Sequence, residues 1–245
     1  MLWQALLAPP LALLDRRAMW IETLSAATTI AAAAEPPDAS TIGGTVRPLR
    51  SLASAARDGS LGRPVPYPDP ILRRTASPVR SFGPSVGAVA DLLAAGIRSD
   101  ATSALQYGID ARMVVLKGFA SPISAPFVLI NPTVLSRSGE DRMVSWLEYC
   151  LVLSAGLEVE LLRDEIVEIA AQDVHGVPIR RTLSGESARA FQHELDHLDG
   201  ILIVDYAGLD DLPGAVAGIE APYHAARQRR AFERNVYQGN TPLYW

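Results

Sequence analysis

Periodic patterning begins near residue 64 and sets the elements of the chain. "PVPYPDPILRRTASPVRSF" (64–82) is punctuated by prolines. Proline pushes the residue before it towards extended backbone, so an irregular extended segment is expected. In 84–99, Val86, Val89, Leu93 and Ile97 recur at helical spacing and predict a helix. Strand-like apolar runs follow at 112–119, 126–132, 156–162 and 165–174. His175–Gly176 reads as a hairpin turn into another strand at 177–183. Helical periodicity returns over 184–199, with Gly200 placed to end the helix, and a last helical stretch covers about 221–237. A short helix, then strands, then a helix predicts an α+β domain with an antiparallel sheet.

Residues 1–62 lack this patterning. They are rich in Ala, Ser, Thr, Leu and Pro, and arginines and acids are interspersed. An organelle transit segment is Arg- and Ser-rich and poor in acids, so the fit is partial. The expected organisation is an extension over 1–62, for targeting or disordered, a catalytic domain over 63–206, and a partly helical C-terminal extension over 207–245.

Composition narrows the classes. Of 245 residues, 49% are hydrophobic and 20% charged, which suffices for one buried core. The net charge of -5 carries no basic stripe, so no nucleic-acid partner is expected. Arg227, Arg229, Arg230 and Arg234 form the one local basic cluster and read as a solvated helix face; a ribosome contact through them is the sharper alternative. No apolar stretch reaches the ~18 residues of a membrane span, so a soluble protein is expected. The single cysteine, Cys150, permits no internal disulfide.

The predicted helix over 184–199 carries the chemistry. His193 and His197 stand four apart, with Glu194 directly after the first. At that spacing two side chains are neighbours, roughly 5–6 Å apart at Cβ. Two imidazoles can therefore converge on one divalent metal, and Glu194 stands where a general base for an activated water belongs. Ala188, Phe191, Leu195 and Leu198 fall on the opposite face, so the helix is expected to run through the middle of the domain. A third ligand is required. His224, 27 residues on, and the lone Cys150 upstream are the candidates.

"FQHELDHLDGILIVD" resembles a signature motif of the peptide deformylases, QHExDHLxG. Gln192, His193, Glu194, Asp196, His197, Leu198 and Gly200 all match. "EYCL" (148–151) resembles a second motif, EGCLS, and "YPDPILRRTASPV" and "VLINP" resemble flanking segments. The resemblance covers about 64–206. It implies a peptide deformylase-like fold, antiparallel sheets around a central HExxH helix, and hydrolysis of the formyl group from N-formylmethionyl nascent peptides. It further implies Cys150, His193 and His197 as ligands of one divalent ion, usually Fe2+, with Zn2+, Ni2+ or Co2+ able to substitute. Glu194 is then the general base. The backbone N–H of Leu151 and the side-chain amide of Gln106 are the oxyanion donors.

The chain departs from the family in two places. A glycine-rich motif, GxGxAAxQ, falls on "SDATSALQ" (99–106), where Ser99 and Ala101 replace both glycines. In the second motif Tyr149 and Val152 replace Gly and Ser, and Glu158 stands near the place of a basic residue. These changes touch peptide recognition and leave the metal ligands intact. The alternative reading is a metal-binding homologue with lost or altered activity, acting as a binding or regulatory protein. Formylmethionine substrates occur in bacteria and organelles, and the extension favours the mitochondrion over the cytoplasm.

Overall fold

Four consecutive apolar residues, Met113–Leu116, are buried on both sides. They form β2 of a five-stranded sheet with packed layers above and below, where a strand reads as a continuous apolar run. The computed structural model describes residues 48–118, 125–154 and 156–237. The sheet order is β1-β2-β3-β6-β7, with β1 Ala101–Ser103, β3 Phe127–Arg137, β6 Ile166–Gln172 and β7 Pro178–Ser184. All of its pairings are antiparallel. A separate antiparallel pair joins β4 (Met143–Tyr149) to β5 (Glu158–Asp164). Fold class and antiparallel pairing are as expected.

Residue parity on β2 divides the core. Val114 and Leu116 join the apolar cluster that holds Phe191, Leu195 and Leu198, whereas Met113 and Val115 join a second cluster. The second cluster is closed by α1 (Leu52–Asp58) and α2 (Pro84–Gly96), through Ala55, Val86, Val89 and Leu93. Helix α3 (Glu186–Leu198) covers the other side. Each fully buried Val or Leu contributes roughly 1.5–3 kcal/mol.

Several boundaries differ from the sequence reading. Packing begins upstream of the expected 62/63 boundary. The Arg50 N–H donates to the Gly108 carbonyl at 2.8 Å, its guanidinium donates to the Leu61 carbonyl at 2.7 Å, and Ala55 is buried. Of the segment 1–62 on which the targeting reading rests, residues 1–47 lie outside the described residues. Strand β3 runs past the expected 132 because two irregularities in its register with β6 let it bend and continue. Asn131 sits at one of them with φ 51°. Its side chain holds the bend, accepting from the Val79 N–H and donating to the Val79 carbonyl, both at 2.8 Å. The His175–Gly176 turn is present, with Gly176 at φ 84° and the Asp173 carboxylate accepting from the His175 and Val177 N–H groups.

The C-terminal arginines require a correction. Helices α4 (Gly214–Glu220) and α5 (His224–Tyr237) pack against the domain. Arg227 pairs with Glu220, Arg234 pairs with Asp199, and Arg230 donates to the Asp199 carbonyl at 2.6 Å. Arg227 and Arg234 are therefore committed to ion pairs within the fold rather than solvated, whereas Arg229 and Arg230 are exposed. Glu220 also binds Arg73 at 2.7 Å and accepts from the Tyr67 hydroxyl at 2.6 Å.

Candidate metal centre

Helix α3 is buried from Ala190 to Leu198, including His193, Glu194, Asp196 and His197. A helix with polar groups buried on every side must give each of them a partner or a task. Gln192 ties the helix to the sheet. Its amide donates to the Asp164 and Ala188 carbonyls at 3.0 Å, and its oxygen accepts from Arg137 and the Asp164 N–H. The Leu198 carbonyl accepts from the Ala76 N–H at 2.8 Å. Gly200 ends the helix at φ 70°, where a Cβ would lie 2.4 Å from the Arg73 carbonyl oxygen. That close backbone approach admits only glycine.

His193 and His197 converge with Cys150, which directly follows β4. One ligand atom from each lies within 4.8 Å of the others, and Cys150 Sγ is 3.0 Å from His197 Nε2. All three are buried. His224, the other candidate, lies elsewhere, with Nε2 2.9 Å from the Ala207 carbonyl oxygen.

An ion network orients the cluster. Glu148 Oε2 is 2.8 Å from His193 Nδ1. An ionised carboxylate only accepts, so Nδ1 carries the hydrogen and Nε2 is left for the cluster. Arg163 donates from Nε and Nη2 to Glu148 at 2.9 and 3.0 Å, and from Nη1 to Asp196 at 2.6 Å. The Tyr206 hydroxyl completes Asp196 at 2.8 Å. The sequence reading missed Glu148 and Arg163. The available signal was strand parity: Val159, Leu161 and Arg163 alternate inwards along β5.

The electrostatics fit a cation. Burial would push the Cys150 thiol up, but the imidazoles of His197 and His193 hold it well below its ordinary value. Burial likewise opposes ionisation of Glu148, yet Arg163 and His193 hold it well below the usual carboxylate range. Burial would push His193 down, but the Cys150 thiolate and Glu148 hold it well above its ordinary value, so the centre of the cluster favours positive charge. Soft thiolate with two imidazoles is a donor set for zinc or iron rather than magnesium or calcium.

Glu194 stands apart from this network. Burial pushes its carboxyl up, and among the described residues its Oε2 has no hydrogen-bond partner. It opens with His193 onto a cleft of about 420 Å³ that Gln106, Tyr149 and Leu151 also line. Gln106 is fixed there because its oxygen accepts from the Ser103 N–H at 3.0 Å and the Thr102 hydroxyl at 2.8 Å. A backbone N–H can only donate, so the amide nitrogen is the end left to face a ligand. The altered positions resolve as well. Tyr149 is 67% exposed at the cleft rim, and Val152 is buried in the core. Ala101 lies in extended strand, so the path that glycine would permit is not used.

The HExxH helix, the cysteine–histidine cluster and the cleft define the class: a metal-binding hydrolase. Comparison with known proteins narrows it. Residues 64–211 match the family model for polypeptide deformylase. The chain is 37% identical over 164 residues to the chloroplastic peptide deformylase 1B of Oryza sativa subsp. japonica, covering 64% of this chain and 58% of that protein. It is 37% identical over 179 residues to a peptide deformylase of Alkalilimnicola ehrlichii, covering 71% and 89%. The crystal structure of Arabidopsis thaliana peptide deformylase 1B with an inhibitor superposes with a TM-score of 0.57 at 30% identity, over 68% of this chain and 94% of that one. This chain belongs to the polypeptide deformylase family.

Replacing Arg163 tests the network. Arg163→Met leaves Glu148 and Asp196 buried without their counter-charge, and removal of one partner from such a set costs about 3–5 kcal/mol. Urea denaturation is expected to show a loss of that size; a change below about 1 kcal/mol would mean that the ion set does not hold the fold.

Proposed function

We propose that this chain hydrolyses the formyl group from the N-terminal formylmethionine of newly synthesised proteins, releasing formate, at a divalent ion held by Cys150, His193 and His197. The observation that carries this reading is the convergence of those three donors beside a buried, unpartnered Glu194 oxygen at an open cleft. When bound, the ion supplies Lewis acidity, making a nucleophilic water available near neutral pH.

The chain's own residues do the rest. Glu194 takes the proton of the attacking water and delivers it to the departing amide nitrogen, so the C–N bond breaks with a neutral amine leaving. Its raised proton affinity suits both halves of that task. The Gln106 amide and the Leu151 backbone N–H donate to the oxygen that gains charge, each contributing about 3–4 kcal/mol in comparable sites. Glu148 holds the His193 ring in the tautomer that ligation needs. A purely scaffolding homologue has no use for a buried acid with one oxygen unpaired, which favours catalysis over the regulatory alternative.

The working metal in this reading is Fe2+, with Zn2+, Ni2+ or Co2+ able to substitute. The substrate is the nascent chain. Two of the four arginines that a ribosome contact would use, Arg227 and Arg234, are held by Glu220 and Asp199, which leaves only Arg229 and Arg230 exposed for it. The rice relative is named chloroplastic, and with the composition of residues 1–47 this supports import into an organelle; the mitochondrion is our assignment.

Three outcomes check the proposal. Iron- or nickel-loaded protein is expected to release formate from formyl-Met-Ala-Ser, and Glu194→Ala to lower the rate by at least ~10²-fold. No release above that control at high enzyme concentration would remove the proposal. Because the thiolate ligand and ferrous iron are both oxidisable, the iron form is expected to lose activity in air faster than the nickel or zinc form; equal half-lives would count against iron. Residues 1–47 fused to a fluorescent protein are expected to direct it to mitochondria, and a diffuse cytosolic or plastid signal would overturn that assignment.

A further inference from the structure

In the proposed reaction the side-chain amide of Gln106 donates to the oxygen that gains charge, so its direction matters. The backbone of Gln106 is already held. It lies in the short 3-10 helix Ala104–Tyr107, and its carbonyl accepts from the Val65 N–H at 2.7 Å. The side chain is the remaining freedom, and a long side chain such as this loses much entropy when ordered. A single hydrogen bond on the amide oxygen leaves the amide able to swing about that bond.

Two donors meet the oxygen from different directions. β1 is an edge strand, and the Ser103 N–H on its unpaired side donates at 3.0 Å. Such an N–H lies in the plane of the sheet, whereas strand side chains stand roughly perpendicular to it. The Thr102 hydroxyl, one residue earlier, comes from a side chain, and its Oγ1 is 2.8 Å from Gln106 Oε1. Because an N–H only donates, the atom between the two is the amide oxygen, and the hydroxyl hydrogen of Thr102 is directed at it. Both bonds together set the plane of the amide, and its nitrogen is turned to the cleft that Gln106 lines.

Thr102 suits this task. It is 1% exposed, so water does not compete for its hydroxyl, and it is too buried to touch a substrate itself. Branching at Cβ stiffens its first torsion, and its backbone is held opposite Val115 of β2. A buried hydroxyl needs an acceptor, and any carbonyl would serve. The acceptor here is the one side-chain amide that the reaction uses.

We infer that Thr102 is a positioning residue, whose hydroxyl fixes the plane of the Gln106 amide and so aims its nitrogen at the reacting oxygen. This role rests on the deformylase reading for the task of Gln106 and goes beyond it in naming the residue behind that side chain.

Thr102→Val keeps the branched shape and removes the hydroxyl, and Thr102→Ser keeps the hydroxyl. With nickel-loaded protein and formyl-Met-Ala-Ser, Thr102→Val is expected to lower kcat about tenfold. KM is expected to stay within about twofold, because the oxygen gains charge only in the transition state. Thr102→Ser is expected to recover most of the lost rate. In a Gln106→Ala protein, which has no amide to aim, Thr102→Val is expected to cost nothing further. A second readout needs no turnover. In isotope-labelled, zinc-loaded protein, the Gln106 side-chain amide signal, assigned by its loss in Gln106→Ala, is expected to be as rigid as the backbone, with an order parameter of about 0.85. In Thr102→Val it is expected to fall below about 0.6. A mobile amide in the unaltered protein, a loss of rate confined to KM, or an undiminished loss in the Gln106→Ala background overturns the inference, and formate release then leaves the deformylase reading standing. No formate from any of the proteins sinks that reading, and the amide order still decides whether Thr102 aims Gln106. The order parameter of the unaltered protein is decisive by itself if a variant does not fold.

Discussion

A single guanidinium without access to solvent holds the reactive centre together. Arg163 joins Glu148, two residues before the cysteine, to Asp196, one residue before the second histidine. It thereby fastens the β4–β5 pair to α3, and the ligands of the cluster come from those two parts. Burying this arginine is unfavourable in itself. It persists because both its acids are buried with it, and because Glu148 passes the orientation on to His193. Ligand donors assembled only in the folded chain bind an ion that the unfolded chain does not, so ion binding and stability are linked.

Much of this was legible in the sequence, and unevenly so. The spacing of His193, Glu194 and His197 located the helix and its two faces, because a helix maps spacing onto direction. Five of the seven strands were visible as apolar runs. Strand β1 was missed because three residues are too few to show a period. Strand β4 was missed because Val144, Leu147 and Tyr149 are exposed, so its apolar residues do not mark an inner face. Arg163 escaped because a charged residue in a strand is first read as solvent-facing; parity with Val159 and Leu161 outweighs that habit. Helix α1 was lost in an extension of uniform composition, and only its packing distinguishes it.

Where the chain departs from its family, the structure keeps the chemistry and changes the surroundings. Tyr149 takes the place of a glycine beside Cys150 without entering the cluster, because successive strand side chains alternate: Glu148 turns inward and Tyr149 turns to the rim. The added aromatic surface lines the cleft with Leu147 and Leu151, as does the ion-paired group of Asp100, Glu186 and Arg189. One cleft thus offers an apolar lip and a polar wall to an extended chain. That division suits a ligand whose backbone is constant and whose side chains differ.

The last helices bear on the order of assembly. Asp199, immediately after α3, is gripped by Arg112 from the strand region and by Arg230 and Arg234 from α5. Chains emerge from synthesis N-terminus first. The helix with both imidazoles is therefore complete well before the segment that fastens its far end. Until that segment arrives, the ligand helix is held by its apolar face and by Arg163, and the finished grip on it is among the last events in the making of the molecule.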